Sequence, residues 1–534
     1  MEFDLRNSQL FLDDAIIEQS VRLQRVMHQP HKYFDNPVYT VGAPWEGTGI
    51  VYLGGVYIDP ADGLWKAWYV TLSPPEYPEI QFAICMIVSD DGIHWRRPEL
   101  DVYRGRNGEK TNIVLDLGPA GRTTAPTILH EPDADEPWTM FISLCWPPDS
   151  KHYLGYFLKS PDGVHWRWVQ ERPNGFEHGF HDRTTATFSG NPDYPYLLIG
   201  RGKEDITRWN LPRTAHRLAC NLTEAEPGEP TRVLVPDLED DPAGQIYHAQ
   251  AFPYEGVWVG LFQWYWEVNE PWGEMALLFS RDAKDWKRPR PRSSFLPPAP
   301  GGGAGGAFDC AITDTALSPP IRTSGAPKPA ATGDLERQLR AQYAVSTLWF
   351  YYWGGQAMHG SAHLTFGRGL GLAQLRADGF CSLRANRFPG TLTTVPIEWP
   401  GGELSINASV LGGSGAGELR CEVLTEALDP ISGLSLADAD PVTSNSTALR
   451  QTWNGDAKKI DSLRGQQIRL RFRVQTGCRT QHVVVEADAH ELGRRQPHRS
   501  CLNVPGQLRF HRHRDTGDVR GRAKSQLKRM DLTP

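Results

Sequence analysis

What this chain lacks narrows its class before any motif is read. It has only eight cysteines in 534 residues, and none forms a C-x-x-C pair. Scattered thiols of this kind point to a reducing, cytoplasmic setting, and away from a disulfide framework or a cysteine-rich zinc site. No run of about 18 apolar residues occurs, which argues against a membrane-spanning helix. The opening MEFDLRNSQLFLDD has no basic segment followed by an apolar stretch, so no secretory leader is expected. Positive charge is short too: 56 Lys and Arg stand against 63 Asp and Glu, a net charge of −7. Neither nucleic acid nor a membrane is the expected partner.

What is abundant is turn and aromatic chemistry: 52 glycines, 42 prolines and 18 tryptophans. Three segments repeat one another. They are Ser89-Asp90-Asp91-Gly92-Ile93-His94-Trp95, Ser160-Pro161-Asp162-Gly163-Val164-His165-Trp166 and Ser280-Arg281-Asp282-Ala283-Lys284-Asp285-Trp286. Each reads as a hairpin corner: Asp-Gly supplies a turn that needs positive φ, the Asp side chain caps backbone amides, and the Trp packs the corner. These residues are turn hardware, not a catalytic triad. A second phrase, strand–turn–aromatic strand, occurs five times, at 54–70, 126–144, 185–201, 251–266 and in a copy ending at 346–355. Repeats of this kind with uneven spacing fit propeller blades with loop insertions.

The expected fold is therefore all-β: a five-bladed β-propeller over 1–385, followed by a small β-sandwich. Within the propeller, 295–342 is low in complexity and reads as an insertion at blade five, with a short helix at 333–342. Segments 389–399, 403–411, 417–426 and 465–474 alternate like sandwich strands, giving an accessory domain over 386–475. From 476 to 534 the periodicity is lost and the chain becomes an irregular basic tail.

A propeller gathers the starts of its inner strands around one mouth, so candidate chemistry is sought there. Before blade one stands Pro44-Trp45-Glu46-Gly47-Thr48-Gly49, a carboxylate beside an indole that can stack on a sugar ring. Before blade three stands His178-Gly179-Phe180-His181-Asp182-Arg183, where Arg183 can hold a hydroxyl or pair with a carboxylate. Tyr247 and His248 take the corresponding place in blade four, and Phe308-Asp309, with Asp314, in blade five. Glycoside hydrolysis needs one carboxyl group to donate a proton and another to act as nucleophile or base. Glu46 is the candidate nucleophile or base and Asp182 the candidate acid. Trp45, His181, Arg183, Tyr247, His248 and Asp309 are the candidate substrate contacts.

Leu10-Phe11-Leu12-Asp13-Asp14, His28-Gln29-Pro30-His31-Lys32, Asn36-Pro37, Pro44-Trp45-Glu46, Gly369-Leu370-Gly371-Leu372-Ala373 and Ala377-Asp378-Gly379-Phe380, with the repeated turns, carry a resemblance. Over about residues 8–475 the chain resembles bacterial proteins related to the N-terminal domain of glycoside hydrolase family 32. The resemblance implies the five-bladed propeller of β-fructosidases, arabinanases and xylosidases. It also implies an acidic nucleophile or base on blade one, an Asp modulator on blade two and an acid on blade three. Here Glu46 stands near the first position and Asp182 at the third. The second, Arg122-Thr123-Thr124-Ala125-Pro126, has no carboxylate.

The sequence thus points to a glycoside hydrolase acting on a glycan or oligosaccharide, or else to a carbohydrate-binding propeller without catalysis. No organic cofactor and no metal-ligand spacing is read, although the channel of such a fold can accept a structural cation. Oligomeric state has no sequence signature.

Overall fold

A computed structural model describes residues 3–47, 49–72, 82–117, 126–145, 152–170, 174–202, 213–266, 272–300, 307–323, 345–356, 368–386, 388–410, 417–475 and 478–486; for Leu72, Asp182 and 478–486 the description stops at the backbone. Five mainly antiparallel blades follow one another along the chain in four sheets, the last of them an eleven-stranded sheet that carries two blades. Blade one contains Ile50–Ile58, Trp65–Leu72, Phe82–Ser89 and Ile113–Asp116. Blade two contains Thr127–His130, Trp138–Cys145 and Tyr153–Ser160, edged by Arg167–Trp168 and Phe176–Glu177. Blade three contains Phe180–Phe188, Tyr196–Gly202, Ala215–Cys220 and Thr231–Leu234. Blade four contains Gly244–Tyr254, Val257–Trp266 and Trp272–Ser280. Blade five contains Ile312–Thr315, Thr347–Gly355 and Gly369–Arg376.

The first strand of each blade is innermost. The inner strands of blades one to four touch in succession, and that of blade five touches that of blade one. Blades four and five join through a parallel bridge between Gly273 and Ile312. The ring is closed by its own N-terminal segment: His31–Lys32 and Tyr39–Thr40 pair with Gly369–Arg376 as the outer edge of blade five. A closed ring leaves no open gap between first and last blades.

The repeated corners stitch blades together. Asp91, Asp162 and Asp282 each accept two backbone amides at 2.8 Å. The Trp indoles of 95, 166 and 286 donate back to the carbonyls of Gly92, Gly163 and Ala283. Two of those carbonyls also receive an aromatic donor from the preceding blade: Tyr351 of blade five reaches Gly92 at 2.7 Å, and Trp68 of blade one reaches Gly163 at 2.9 Å. A Cβ at Gly163 would stand 2.7 Å from the Trp68 ring, and φ there is 77°. Glycine is needed at this turn for space as well as for backbone freedom.

Two sheets follow the propeller. In one, Leu23–Met27, Cys381–Ala385, Cys478–Glu486, Glu403–Val410 and Asn445–Arg450 lie side by side; in the other, Ile17–Val21, Gly390–Thr394, Gln467–Val474 and Ile397–Glu398. Their apolar faces share a core with the outer surface of blades four and five, where Leu392, Ile406, Phe472, Phe295, Phe350 and Phe380 are all buried. Arg376 fixes the junction by donating to Asn407, Asn445 and the Ser446 carbonyl.

Three expected boundaries change. Residues 9–27, assigned with the propeller, pair with the two C-terminal sheets instead, Ile17–Val21 against Gly390–Thr394 and Leu23–Met27 against Cys381–Ala385. The irregular tail begins later than 476, since Cys478–Glu486 is a strand lying along Glu403–Val410. The inner strand of blade five, Ile312–Thr315, falls inside the segment read as an insertion. Four residues between glycine-rich and proline-rich runs show too little alternation to be seen as a strand. The helix expected at 333–342 and the basic stretch from 493 lie outside the described residues. Cys85, Cys220, Cys310, Cys381 and Cys421 are free thiols. Among the described residues no helix is long and apolar enough to cross a membrane.

Candidate functional site

The inner strands deliver a buried charge cluster to the propeller axis. Arg183 of blade three donates to Asp314 of blade five at 2.5 Å, and His248 of blade four lies 2.9 Å from the other oxygen of the same carboxylate. The Trp353 indole donates to Asp314 at 3.2 Å. All three polar residues are essentially sealed from solvent, at 3%, 1% and 2% exposure for Arg183, His248 and Asp314. Neighbouring side chains on these strands are turned to support them. Thr185 donates to the Ala249 carbonyl, Gln250 to Thr315, and Gln263 to the Thr313 carbonyl.

Burial opposes the charge on Asp314, but Arg183 and His248 outweigh it and hold its carboxyl at about 2. Burial also lowers the His248 pKa, aided by the adjacent Arg183. The imidazole is therefore neutral at pH 7, and Arg183 is the cation that keeps Asp314 ionised. Because a carboxylate cannot donate, His248 Nε2 carries the proton and Nδ1 keeps a lone pair. Such a pair is costly to break: removing one partner of a buried ion pair costs about 3–5 kcal/mol.

Aromatic rings and further guanidinium groups wall the cluster. The Arg183 guanidinium lies over the Tyr52 ring at 4.6 Å and the Tyr247 ring at 5.6 Å. Arg201 and Arg213 also stand over Tyr247, at 5.1 and 5.6 Å. Arg368 lies 5.9 Å over Trp353, whose ring meets Tyr52 edge-on at 6.3 Å. Gly49 makes room for Arg368: a Cβ there would be 3.1 Å from the Arg368 Cβ. The glycines before blade one therefore admit an arginine of this chain.

Of the residues singled out from sequence, Arg183, Tyr247 and His248 meet here. His181 joins them through Arg201, which lies 3.1 Å from its Nδ1. Asp182 lies on the same strand, in backbone where the register shifts between Phe180 and Thr184, and its side chain is outside the described ones.

Glu46 does not belong to this cluster, and its assignment as nucleophile or base is corrected. It is fully buried and accepts six donors. The Tyr39 and Tyr69 hydroxyls and the Asn112 amide reach one oxygen; the Gly42 and Ala43 amides and Arg97 reach the other. A carboxylate offers about four lone-pair sites, so none is left for a ligand. Tyr39 belongs to the edge of blade five and Tyr69 to blade one, so Glu46 clamps the closing seam of the ring. Trp45 serves the same seam, donating to Asn112 at 2.8 Å. Asp309 is also corrected: it is buried against Lys32 at 2.5 Å and the Tyr352 hydroxyl at 2.9 Å, and contacts no member of the axial cluster.

Sequence reasoning placed Asp314 in blade five but left it out of the candidate contacts, and it did not single out Tyr52, Trp353, Arg201, Arg213 or Arg368. Asp314 had a visible signal, a lone carboxylate between threonines, but it lay inside the apparent insertion. Among the described residues no three His, Cys, Asp or Glu side chains converge as a metal set. The described part of the axis is instead occupied by a guanidinium.

No protein-family model matches the chain, and no curated protein matches it. Among solved structures it is similar to an N-acetylgalactosamine deacetylase from F. plautii in complex with blood group B trisaccharide, at 14% identity over 70% of this chain and 94% of that one, TM-score 0.37. It is also similar to the β-1,2-mannobiose phosphorylase of Listeria innocua, at 13% identity over 65% and 97%, TM-score 0.40. A third is the endo-arabinase of Bacteroides thetaiotaomicron, at 9% identity over 61% and 94%, TM-score 0.38.

Proposed function

We propose that this chain is a carbohydrate-active enzyme, a glycosidase that binds its glycan at the propeller mouth. The observation that carries this reading is the convergence of Arg183, His248 and Asp314 from three successive blades into one buried cluster walled by Tyr52, Tyr247 and Trp353. Buried, charge-coupled side chains set among aromatic rings are a recurrent mark of a working site. Asp314 is ionised at neutral pH, so it acts as base, nucleophile or electrostatic stabiliser of a developing positive sugar. It cannot be the proton donor. That role falls to Asp182, beside Arg183 on the same strand. The neutral His248 offers Nδ1 as an acceptor for a sugar hydroxyl.

The test is hydrolysis of a panel of aryl glycosides and oligosaccharides. Asp314→Asn and Asp182→Asn should each cut turnover by about 10²–10⁴-fold while glycan binding survives in at least one of them. Full turnover in both variants would sink the assignment.

One observation favours a second reading, a carbohydrate-binding propeller without catalysis. Both oxygens of Asp314 are already engaged, one by His248 and the other by Arg183 and Trp353. Saccharide binding with no cleavage of any panel member would select that reading.

A further inference from the structure

We propose that the mouth recognises an anionic group carried on the saccharide, a carboxylate, sulfate or phosphate ester, through the guanidinium groups of Arg183 and Arg368. This rests on the reading above that the mouth binds a glycan, and it specifies which kind.

The first ground is leftover donors. Arg183 spends Nη2 on Asp314, but its Nη1 is buried with no hydrogen-bond partner among the described residues, and so is Arg368 Nε. Buried donors without partners are rare, and a charged one is expensive to leave bare. Two guanidinium groups in this condition, flanking the linked rings of Tyr52 and Trp353, are donors waiting for an acceptor. Burial lowers the Arg368 pKa and only the Tyr52 hydroxyl offsets it, so this cation has no carboxylate to balance it among the described groups.

The second ground is what covers the aromatic faces. Neutral sugars commonly stack on open rings. Here guanidinium groups occupy that space: Arg183 over Tyr52, and Arg183, Arg201 and Arg213 around Tyr247 at 5.1–5.6 Å. The groups packed on these rings are therefore planar forked donors, whose geometry matches carboxylate, sulfate and phosphate oxygens, and of these Arg183 keeps a donor without a partner among the described residues. His248 Nδ1, buried with no hydrogen-bond partner among the described residues, adds an acceptor that a neighbouring sugar hydroxyl can satisfy.

The experiment is calorimetric titration of the full chain with matched pairs. These are trigalacturonate against its carboxyl-reduced counterpart, a sulfated against a desulfated chondroitin disaccharide, and mannose 6-phosphate against mannose, with inorganic phosphate alone as a further arm. At least one anionic member should bind about tenfold or more tightly than its neutral partner, and the preference should shrink as salt is raised. Arg368→Gln should bring the ratio of anionic to neutral affinity towards one, and Arg368→Lys should restore part of it. Equal binding of both members of every pair overturns the anionic preference and leaves the glycan reading standing. Inorganic phosphate binding as tightly as any saccharide overturns the claim that the anion is sugar-borne. Binding of no saccharide at all overturns this inference together with the reading beneath it.

Discussion

Two buried carboxylates in this propeller lead opposite lives. Glu46, at the seam between blades five and one, is surrounded by six donors, three to each oxygen. Asp314, at the axis, is held by Arg183, His248 and Trp353, and those partners keep spare polar atoms of their own: Arg183 Nη1 and His248 Nδ1. Burial and charge alone do not separate them. What separates them is closure of the network. A saturated carboxylate holds structure; one whose partners are left with unused donors and acceptors faces something still to be bound.

The comparison predicts a split between binding and stability. The largest effect belongs to the axis. Asp314→Asn should abolish measurable turnover, a loss of about 10²–10⁴-fold, assayed on protein shown to be folded by circular dichroism. Glu46→Gln comes next. Each Glu46 oxygen already receives three donors, so the amide nitrogen must point at donors whichever way it turns. We expect a stability loss of about 3 kcal/mol by denaturant titration, with saccharide affinity of the folded protein unchanged. If Glu46→Gln loses turnover without losing stability, the assignment of the two carboxylates is reversed.

The same contrast explains what could be read from sequence. Blades were legible because each strand–turn–strand phrase and each Asp/Trp corner is local. The corners at Asp91, Asp162 and Asp282 close within a few residues, so pattern and structure coincide. Glu46 looked like a site residue because a carboxylate beside Trp45 and three small residues suits a sugar. The donors that saturate it come from Tyr69, Arg97 and Asn112, up to 66 residues away, and no local pattern announces them. Asp314 was hidden for the converse reason: its strand is four residues long. Arg183 and His248 could be singled out together because inner-strand starts in a propeller must converge, a rule of topology that needs no knowledge of individual contacts.

A third substitution probes the scaffold far from either carboxylate. Gly163→Ala forces a Cβ to within 2.7 Å of the Trp68 ring at a residue with φ of 77°. The equivalent position in blade four tolerates Ala283 at φ 59°; no aromatic from blade three is seen donating to its carbonyl there among the described residues. Gly163→Ala should cost about 2 kcal/mol, combining backbone strain with overpacking, and lower the melting temperature without altering saccharide affinity. Ala283→Gly should instead change stability by less than about 1 kcal/mol. Equal losses at both positions would mean that the Trp68 stitch carries no weight.

The smallest effect is a pH dependence that distinguishes the axis from the seam, since among the described residues no histidine donates to Glu46. Burial, with help from Arg183, lowers the His248 pKa below its ordinary 6.5. Below pH 6.5 the unfolded chain therefore binds a proton that the folded chain refuses, and stability falls as the pH drops from that point towards the folded value. Asp314 adds a second step further down. Its folded pKa of about 2 lies below the ordinary 3.8, so its contribution is complete above about pH 4 and is lost as the pH falls through 2. Other histidines also titrate, His31 among them, whose pKa is lowered by desolvation, so the measurement is a difference. Unfolding free energies of the wild type and His248→Gln, compared from pH 7.5 to 5, should show a shallower decline in the variant. Parallel curves would mean that His248 keeps its ordinary proton affinity and that Asp314 is balanced by an imidazolium as well as by Arg183, which would remove the lone pair assigned to sugar recognition.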